Sequence, residues 1–147
     1  MKTVREILLN KGNQVWTISP DSTVYDALKL MSEKEIGAVL VCEGDNIKGI
    51  MSERDYARKI ILQGKLSKET KISEIMSDKV IYVNPEMRTN ECMALMINKK
   101  IRHLPVLEDQ KLAGLISIGD VVNAVIDEKE FLIDQLVNYI TSTPSIK

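Results

Sequence analysis

Apolar residues along the chain change their spacing in a fixed order, and the order occurs twice. Short β-rich runs at Val15–Ile18 and Val80–Val83 stop at Pro20 and Pro85, where a missing N–H ends sheet pairing. Each predicts a strand. Val24, Ala27, Leu28 and Met31 then recur at helical spacing, as do Thr89, Cys92, Met93 and Met96, and Thr23 with Asp26 offers a capping-box start. Each predicts an amphipathic helix. Next come Ala38–Cys42 and Leu104–Leu107, polar turns at 43–46 and 108–111, and Ile47–Met51 and Leu112–Ile116, which read as strand pairs closed by hairpin turns. Ser52 and Ser117 each open a second helix, so the unit is β-α-β-β-α, twice.

A gapless shift of 65 positions lays 15–61 on 80–126 with 12 of 47 residues identical. Chance would give roughly three, so a duplication is the economical explanation. Related leaders, Val4-Arg-Glu-Ile-Leu8 and Ile72-Ser-Glu-Ile-Met76, precede the copies. The expected organisation is a first repeat with leader and charged connector (Lys65–Lys71) over 1–71, a second repeat over 72–127, and a C-terminal helix and tail over 128–147, the helix near Glu128–Thr141. The fold class is α/β (α+β). Two repeats packed about a pseudo-twofold axis would create two equivalent clefts.

Composition narrows the function. In 147 residues, 20 Lys and Arg balance 21 Asp and Glu, so no large field draws a nucleic-acid backbone or an anionic membrane. Aromatic content of 4% also speaks against nucleic acid. Cys42 and Cys92 form no C-x-x-C pair and read as reduced, buried thiols. The first residues lack the apolar core of a signal peptide and no stretch is long enough to span a membrane, so a soluble, cytoplasmic protein is expected. One histidine excludes a histidine-rich metal site, no Ser/His/Asp nucleophile is legible, and no metal or catalytic cofactor is expected. Gly44 and Gly49 have P-loop spacing, but Ile50-Met51 stands where Lys-Ser/Thr is required.

The informative identities are polar. Gly49, Ser52 and Asp55, with Gly114, Ser117 and Asp120, form G-h-h-S-x-x-D where a strand meets a helix. Serine there is a favoured N-cap, and a carboxylate three residues later reciprocates. The same place offers an anion the helix N–H groups, a serine hydroxyl can meet phosphate, and an aspartate suits a vicinal diol such as ribose. Both readings stand. The copies differ at Lys99-Lys-Ile-Arg-His-Leu-Pro105, basic where the first has Lys34-Glu-Ile-Gly-Ala-Val-Leu40. Lys99 and Lys100 suit a helix C-terminus. Arg102 is the better phosphate candidate, whereas a lone histidine such as His103 is more often a structural hydrogen-bonder than a ligand. Neighbours in a regular strand face opposite ways, so both serve one ligand only if the strand begins irregularly.

These residues together resemble tandem cystathionine β-synthase (CBS) domains, a Bateman module. The resemblance spans about residues 4–127 and rests on the duplicated unit, the Glu74-Ile-Met76 leader, the Ile101–Val106 run and the paired G-h-h-S-x-x-D. Ser52–Tyr56 and the trailing Asn138–Thr141 are similar to small stand-alone bacterial and organellar CBS-pair proteins. What the resemblance implies is a non-catalytic sensor of energy or metabolite state that binds AMP, ADP, ATP, NAD or S-adenosylmethionine between its repeats. By that resemblance one site uses Ile18, Ser19, Gly37 and Ala38 for the base, with Arg102, His103, Ser117 and Asp120 for phosphate and ribose. Its mate uses Val83, Asn84, Ser52, Arg54 and Asp55, with Arg54 as the cation because Gly37-Ala38 removes the basic pair. The expected partners are the adenosyl ligand, a second copy and an unidentified regulated enzyme. The alternative is an oligomeric scaffold in which S-x-x-D only caps helices.

Overall fold

The computed structural model describes residues 2–142. Its elements in chain order are α1 (Val4–Lys11), β1 (Thr17–Ile18), α2 (Val24–Lys34), β2 (Ala38–Glu43), β3 (Asn46–Ser52), α3 (Glu53–Tyr56), α4 (Thr89–Lys99), β4 (His103–Glu108), β5 (Lys111–Ser117) and α5 (Ile118–Ser142). A π-turn over Ala57–Ile61 continues α3, and a 3-10 turn covers Ile72–Glu74. The α/β class is the one the sequence predicts, and so is the order of elements in the first repeat; the second repeat keeps the order from its first helix onward.

The chain forms two compact units, and their membership differs from the expected segments. One holds residues 14–81; the other holds 1–13 together with 82–147. Each leader therefore packs on the repeat it does not precede. In unit 14–81, Ile72 N–H donates to Ser22 O (2.9 Å) and Ser73 N–H to Pro20 O (3.1 Å). In the other unit, Val4 N–H donates to Met87 O and Arg5 N–H to Pro85 O, each at 2.8 Å. These are corresponding positions. The first N–H groups of α1 have no intrahelical acceptor, and the turn after the strand supplies one. The Arg5 guanidinium also bridges Glu108 and Glu86, whose carboxylates raise its pKa further above the ordinary arginine value.

Unit 14–81 carries a three-stranded sheet, β1 parallel to β2 and β2 antiparallel to β3. The other unit carries only β4 and β5, antiparallel. The strand expected at Val80–Val83 is reduced to a single bridge, Val83 to Val106. Val83 N–H donates to Pro105 O and Leu107 N–H to Val83 O, and the next bond of that ladder would have to come from Pro105, which has no N–H. Leu40 stands at the corresponding place in β2, and Thr17 pairs with it in β1.

The two hairpins share their irregularity. Register shifts fall between Val41 and Cys42 and between Val106 and Leu107, each just beyond the glycine pairs Val41–Gly49 and Val106–Gly114. A Cβ on Gly49 would lie 2.6 Å from Ser77 O and 2.8 Å from Met76 Sδ, and one on Gly114 would lie 2.6 Å from Leu8 Cδ2. The bulge bends the strand, and the glycine lets the last residue of a leader sit against it. Behind the sheets lie Val24, Ala27, Met31, Val39, Val41 and Met51 in one unit, and Cys92, Met96, Leu104, Val106, Ile116 and Val121 in the other, all buried.

Three expected helices also need correction. The helix opened by Ser52 is only four residues long before it widens into the π-turn. Conversely, the helix opened by Ser117 and the one expected over 128–141 are a single 25-residue α5, because residues 120–142 contain no glycine or proline to stop it. The rest of the expected C-terminal segment, 143–147, lies outside the described residues. The charged connector is ordered by α2: Val24 N–H donates to Thr70 O and Tyr25 N–H to Ser67 O.

Helices α2 and α4 both end on a non-glycine residue in the left-handed region, Glu35 (φ 54°) and Lys100 (φ 55°). Glycine takes that conformation without a Cβ penalty. Glu35→Gly is expected to raise stability by about 0.5–1 kcal/mol, read as a higher urea midpoint at unchanged slope; a lower midpoint would contradict the cap assignment.

Candidate ligand-binding site

Both S-x-x-D motifs close as reciprocal caps. Ser52 N–H donates to Asp55 Oδ2 (2.9 Å), Asp55 N–H donates to Ser52 Oγ (3.2 Å), and the serine hydroxyl donates to Oδ2 (3.1 Å). Ser117 N–H donates to Asp120 Oδ2 (2.8 Å), and Asp120 N–H to Ser117 Oγ (3.1 Å). The capping role is thus realised in both copies. It fixes each carboxylate at the mouth of its strand–helix junction and leaves part of its acceptor capacity for other donors.

A lysine completes each junction, and sequence inspection missed both. Lys59 Nζ lies 3.2 Å from Asp55 Oδ1 and donates to Ile75 O (2.7 Å). Its i, i+4 spacing from Asp55 was the available signal. Lys11 Nζ donates to Asp120 Oδ2 (2.6 Å) and to Leu115 O (2.7 Å). Lys11 arrives on α1, more than a hundred residues away in sequence, and no local pattern announces it. Beside this pair a groove of about 340 Å³ is lined by Lys2, Glu6, Lys11, Asp120, Asn123 and Asp127.

The strand pairing brings the basic run to Ser117. His103 pairs with Ser117 across β4 and β5, and Ile118 N–H donates to Arg102 O (2.8 Å). Arg102 precedes the strand and is exposed, so the alternation that would force it away from His103 does not apply. In unit 14–81 the same arrangement places Ala38 opposite Ser52 and Gly37 O on Glu53 N–H (3.1 Å), with Arg54 in the first turn of α3. Ile18 pairs with Val41 there, and Ser19 Oγ accepts Asp21 N–H. In the other unit Asn84 Oδ1 accepts Glu86 N–H, the corresponding turn, next to Val83. Ser19 and Asn84 are therefore turn-formers, a role their residue types favour. Ile18, Ser19, Gly37, Ala38, Ser52, Arg54 and Asp55 belong to unit 14–81; Val83, Asn84, Arg102, His103, Ser117 and Asp120 belong to the other.

Other chemistry finds little support among the described residues. No cluster of His, Cys, Asp and Glu could hold a metal ion, and no helix is long and apolar enough to cross a membrane. Burial raises both thiols, Cys42 and Cys92, the latter up to about 11, which keeps them protonated and poorly nucleophilic near neutral pH.

This architecture, a duplicated helix, hairpin and helix with a capped carboxylate after the last strand of each copy, is that of a CBS-domain pair. The CBS domain pattern matches residues 4–62 and 72–127, and the chain belongs to that family. The mitochondrial CBS domain-containing protein CBSX3 of Arabidopsis thaliana is 41% identical over 148 residues, covering 94% of this chain and 71% of that protein. A putative signal-transduction protein with CBS domains from Burkholderia ambifaria has 54% identity and a TM-score of 0.83, over 86% of this chain and 95% of that one. The CBS domain pair of protein MJ0100, in complex with 5′-methylthioadenosine and S-adenosyl-L-methionine, shares the fold with a TM-score of 0.76 at 22% identity, over 87% and 98% of the two chains. The chain is a CBS pair, a regulatory module.

Proposed function

We propose that the chain senses energy or metabolite state by binding an adenosyl ligand (AMP, ADP, ATP, NAD or S-adenosylmethionine) without catalysing a reaction. The observation that carries the reading is the Asp120 junction. There a capped carboxylate stands at the start of a 25-residue helix, with Arg102 and His103 joined to the same junction by backbone pairing. Such a place suits a ribose diol next to phosphate. The proposed ligand residues are Ile18, Ser19, Gly37, Ala38, Arg102, His103, Ser117 and Asp120, with Ser52, Arg54, Asp55, Val83 and Asn84 for a second, weaker site. Weakness there follows from the four-residue α3 and from Gly37-Ala38 in place of the basic pair. The proposed setting is the cytoplasm, and the regulated partner is an enzyme.

A ligand that binds only the folded state raises apparent stability; at a hundredfold excess over Kd the gain is about 2.7 kcal/mol. A thermal-shift panel of AMP, ADP, ATP, NAD and S-adenosylmethionine should therefore show an upward shift with at least one. No shift with any would favour the second reading, an oligomeric scaffold. That reading is carried by α5, where Phe131, Ile133, Leu136, Val137 and Ile140 stay exposed.

A further inference from the structure

The lone pairs of Asp120 bear on how a ligand could use it. Each carboxylate oxygen offers about two acceptor sites. Oδ2 already accepts Ser117 N–H at 2.8 Å and Lys11 Nζ at 2.6 Å. A diol gripped through both carboxylate oxygens needs one of those sites back. The Ser117 N–H is fixed backbone at the first turn of α5. Lys11 is a four-carbon chain with 39% of its side chain exposed, facing a groove that also holds Lys2, Glu6, Asn123 and Asp127. Lys2 lies near Asp127 at 3.8 Å, which leaves Lys11 as the mobile donor on Asp120. The other junction differs, because Lys59 meets Asp55 through Oδ1 and is carried on the same helical segment.

We propose that Lys11 is a displaceable counter-ion that sets the ribose selectivity of the Asp120 site and ties its occupancy to the leader helix. The inference rests on the ligand reading above. A ligand held with one of its 2′ and 3′ hydroxyls on each carboxylate oxygen displaces the ammonium from Oδ2, whereas a 2′-deoxy ligand places its one hydroxyl on Oδ1 and leaves the ammonium in place. Lys11 therefore opposes binding of the ribose form alone. Once displaced it also leaves Leu115 O, which frees the C-terminal end of α1 while Leu8 remains seated on Gly114. In this way occupancy at Asp120 is relayed to a segment far from it in sequence.

The test uses the full chain and two probes with the same phosphate, AMP and 2′-deoxy-AMP, so that other electrostatic effects of the substitution cancel in their ratio. In Lys11→Met the preference for AMP over 2′-deoxy-AMP should rise about two- to fivefold, the value of one exposed ion pair. Lys11→Arg, which keeps the charge, should leave the ratio near wild type. Amine acylation mapped by mass spectrometry gives a second readout: AMP should accelerate labelling of Lys11 in the wild type, and 2′-deoxy-AMP should not. A ratio that stays the same or falls in Lys11→Met, or protection of Lys11 by AMP, overturns the inference and leaves the ligand reading intact. If the wild type binds neither AMP nor 2′-deoxy-AMP, the assignment of Asp120 to an adenine nucleotide falls first and this inference with it.

Discussion

Replacing Gly49 by alanine is expected to destabilise the protein by about 2–3 kcal/mol, roughly 6–12 °C in Tm. The new Cβ would lie 2.6 Å from Ser77 O, a backbone atom. That atom cannot turn aside, since Ser77 and Ile50 exchange both N–H···O bonds, at 2.9 and 3.0 Å. Relief would require opening the bridge that holds the second leader on β3. Gly114→Ala is the internal control. The three atoms nearest its Cβ would all belong to the Leu8 side chain, at 2.6, 2.9 and 3.3 Å, and a half-buried side chain can shift where a bonded backbone oxygen cannot, so about 1 kcal/mol is expected. Thermal and urea unfolding of the two variants side by side checks the order. Equal losses, or a larger loss at Gly114, would show that the leaders are not seated as described.

The second large effect concerns association. Beyond residue 128, α5 is exposed along its described length, with Phe131 at 67%, Ile133 at 57% and Leu136 at 54%. Ile126, Ile133 and Ile140 recur at seven residues, with Leu136 between the last two, which puts a narrow apolar seam on one face. A soluble chain rarely leaves such a face open, and a second copy meeting it about a twofold axis is the proposed cover. Full burial of one such side chain contributes about 1.5–3 kcal/mol, and a charge in its place must also be desolvated. The double substitution Ile133→Glu and Leu136→Glu should therefore weaken a dimer by on the order of a thousandfold, giving monomers at micromolar concentration in light scattering. Folding of the monomer should survive, because neither side chain contributes to the buried core. A wild type that is already monomeric, or a variant that remains dimeric, contradicts this interface.

Much of the fold was legible because the apolar periods are local. The hairpins of β2 with β3 and β4 with β5, the two central helices and the Thr23–Asp26 cap need only neighbouring residues to form. What the periodicity could not show was long-range. Val80–Val83 has the composition of a strand, yet its ladder depends on an N–H that Pro105 lacks, over twenty residues later. The leaders look like the beginnings of their own repeats, and only the glycine seats, Gly49 under Met76 and Gly114 under Leu8, reveal that each serves the other copy. The join of the second-repeat helix to the C-terminal one could have been read from the absence of any breaker, but the end of the repeat suggested a boundary that the backbone does not have.

The candidate site divides in the same way. Ser52, Asp55, Ser117 and Asp120 were found by repetition, and their caps follow from spacing alone. Lys11 and Lys59 were not found. A charge partner brought by tertiary packing leaves no trace in local sequence, which hides Lys11, whereas the i, i+4 spacing of Lys59 from Asp55 on a helix expected to open at Ser52 was a legible signal.

Direct competition of AMP and 2′-deoxy-AMP against a fluorescent adenine nucleotide at fixed salt bears most directly on the assignment of Asp120 to a ribose. Losing one hydrogen bond to a charged group costs about 1.5–3 kcal/mol, so AMP should bind roughly tenfold or more tightly in the wild type. Asp120→Asn keeps an oxygen for the Ser117 cap and should abolish most of that preference, while Asp55→Asn should leave the tighter site unchanged. Equal affinity for AMP and 2′-deoxy-AMP in the wild type, or an undiminished preference in Asp120→Asn, would contradict the account and leave Asp120 as a helix cap.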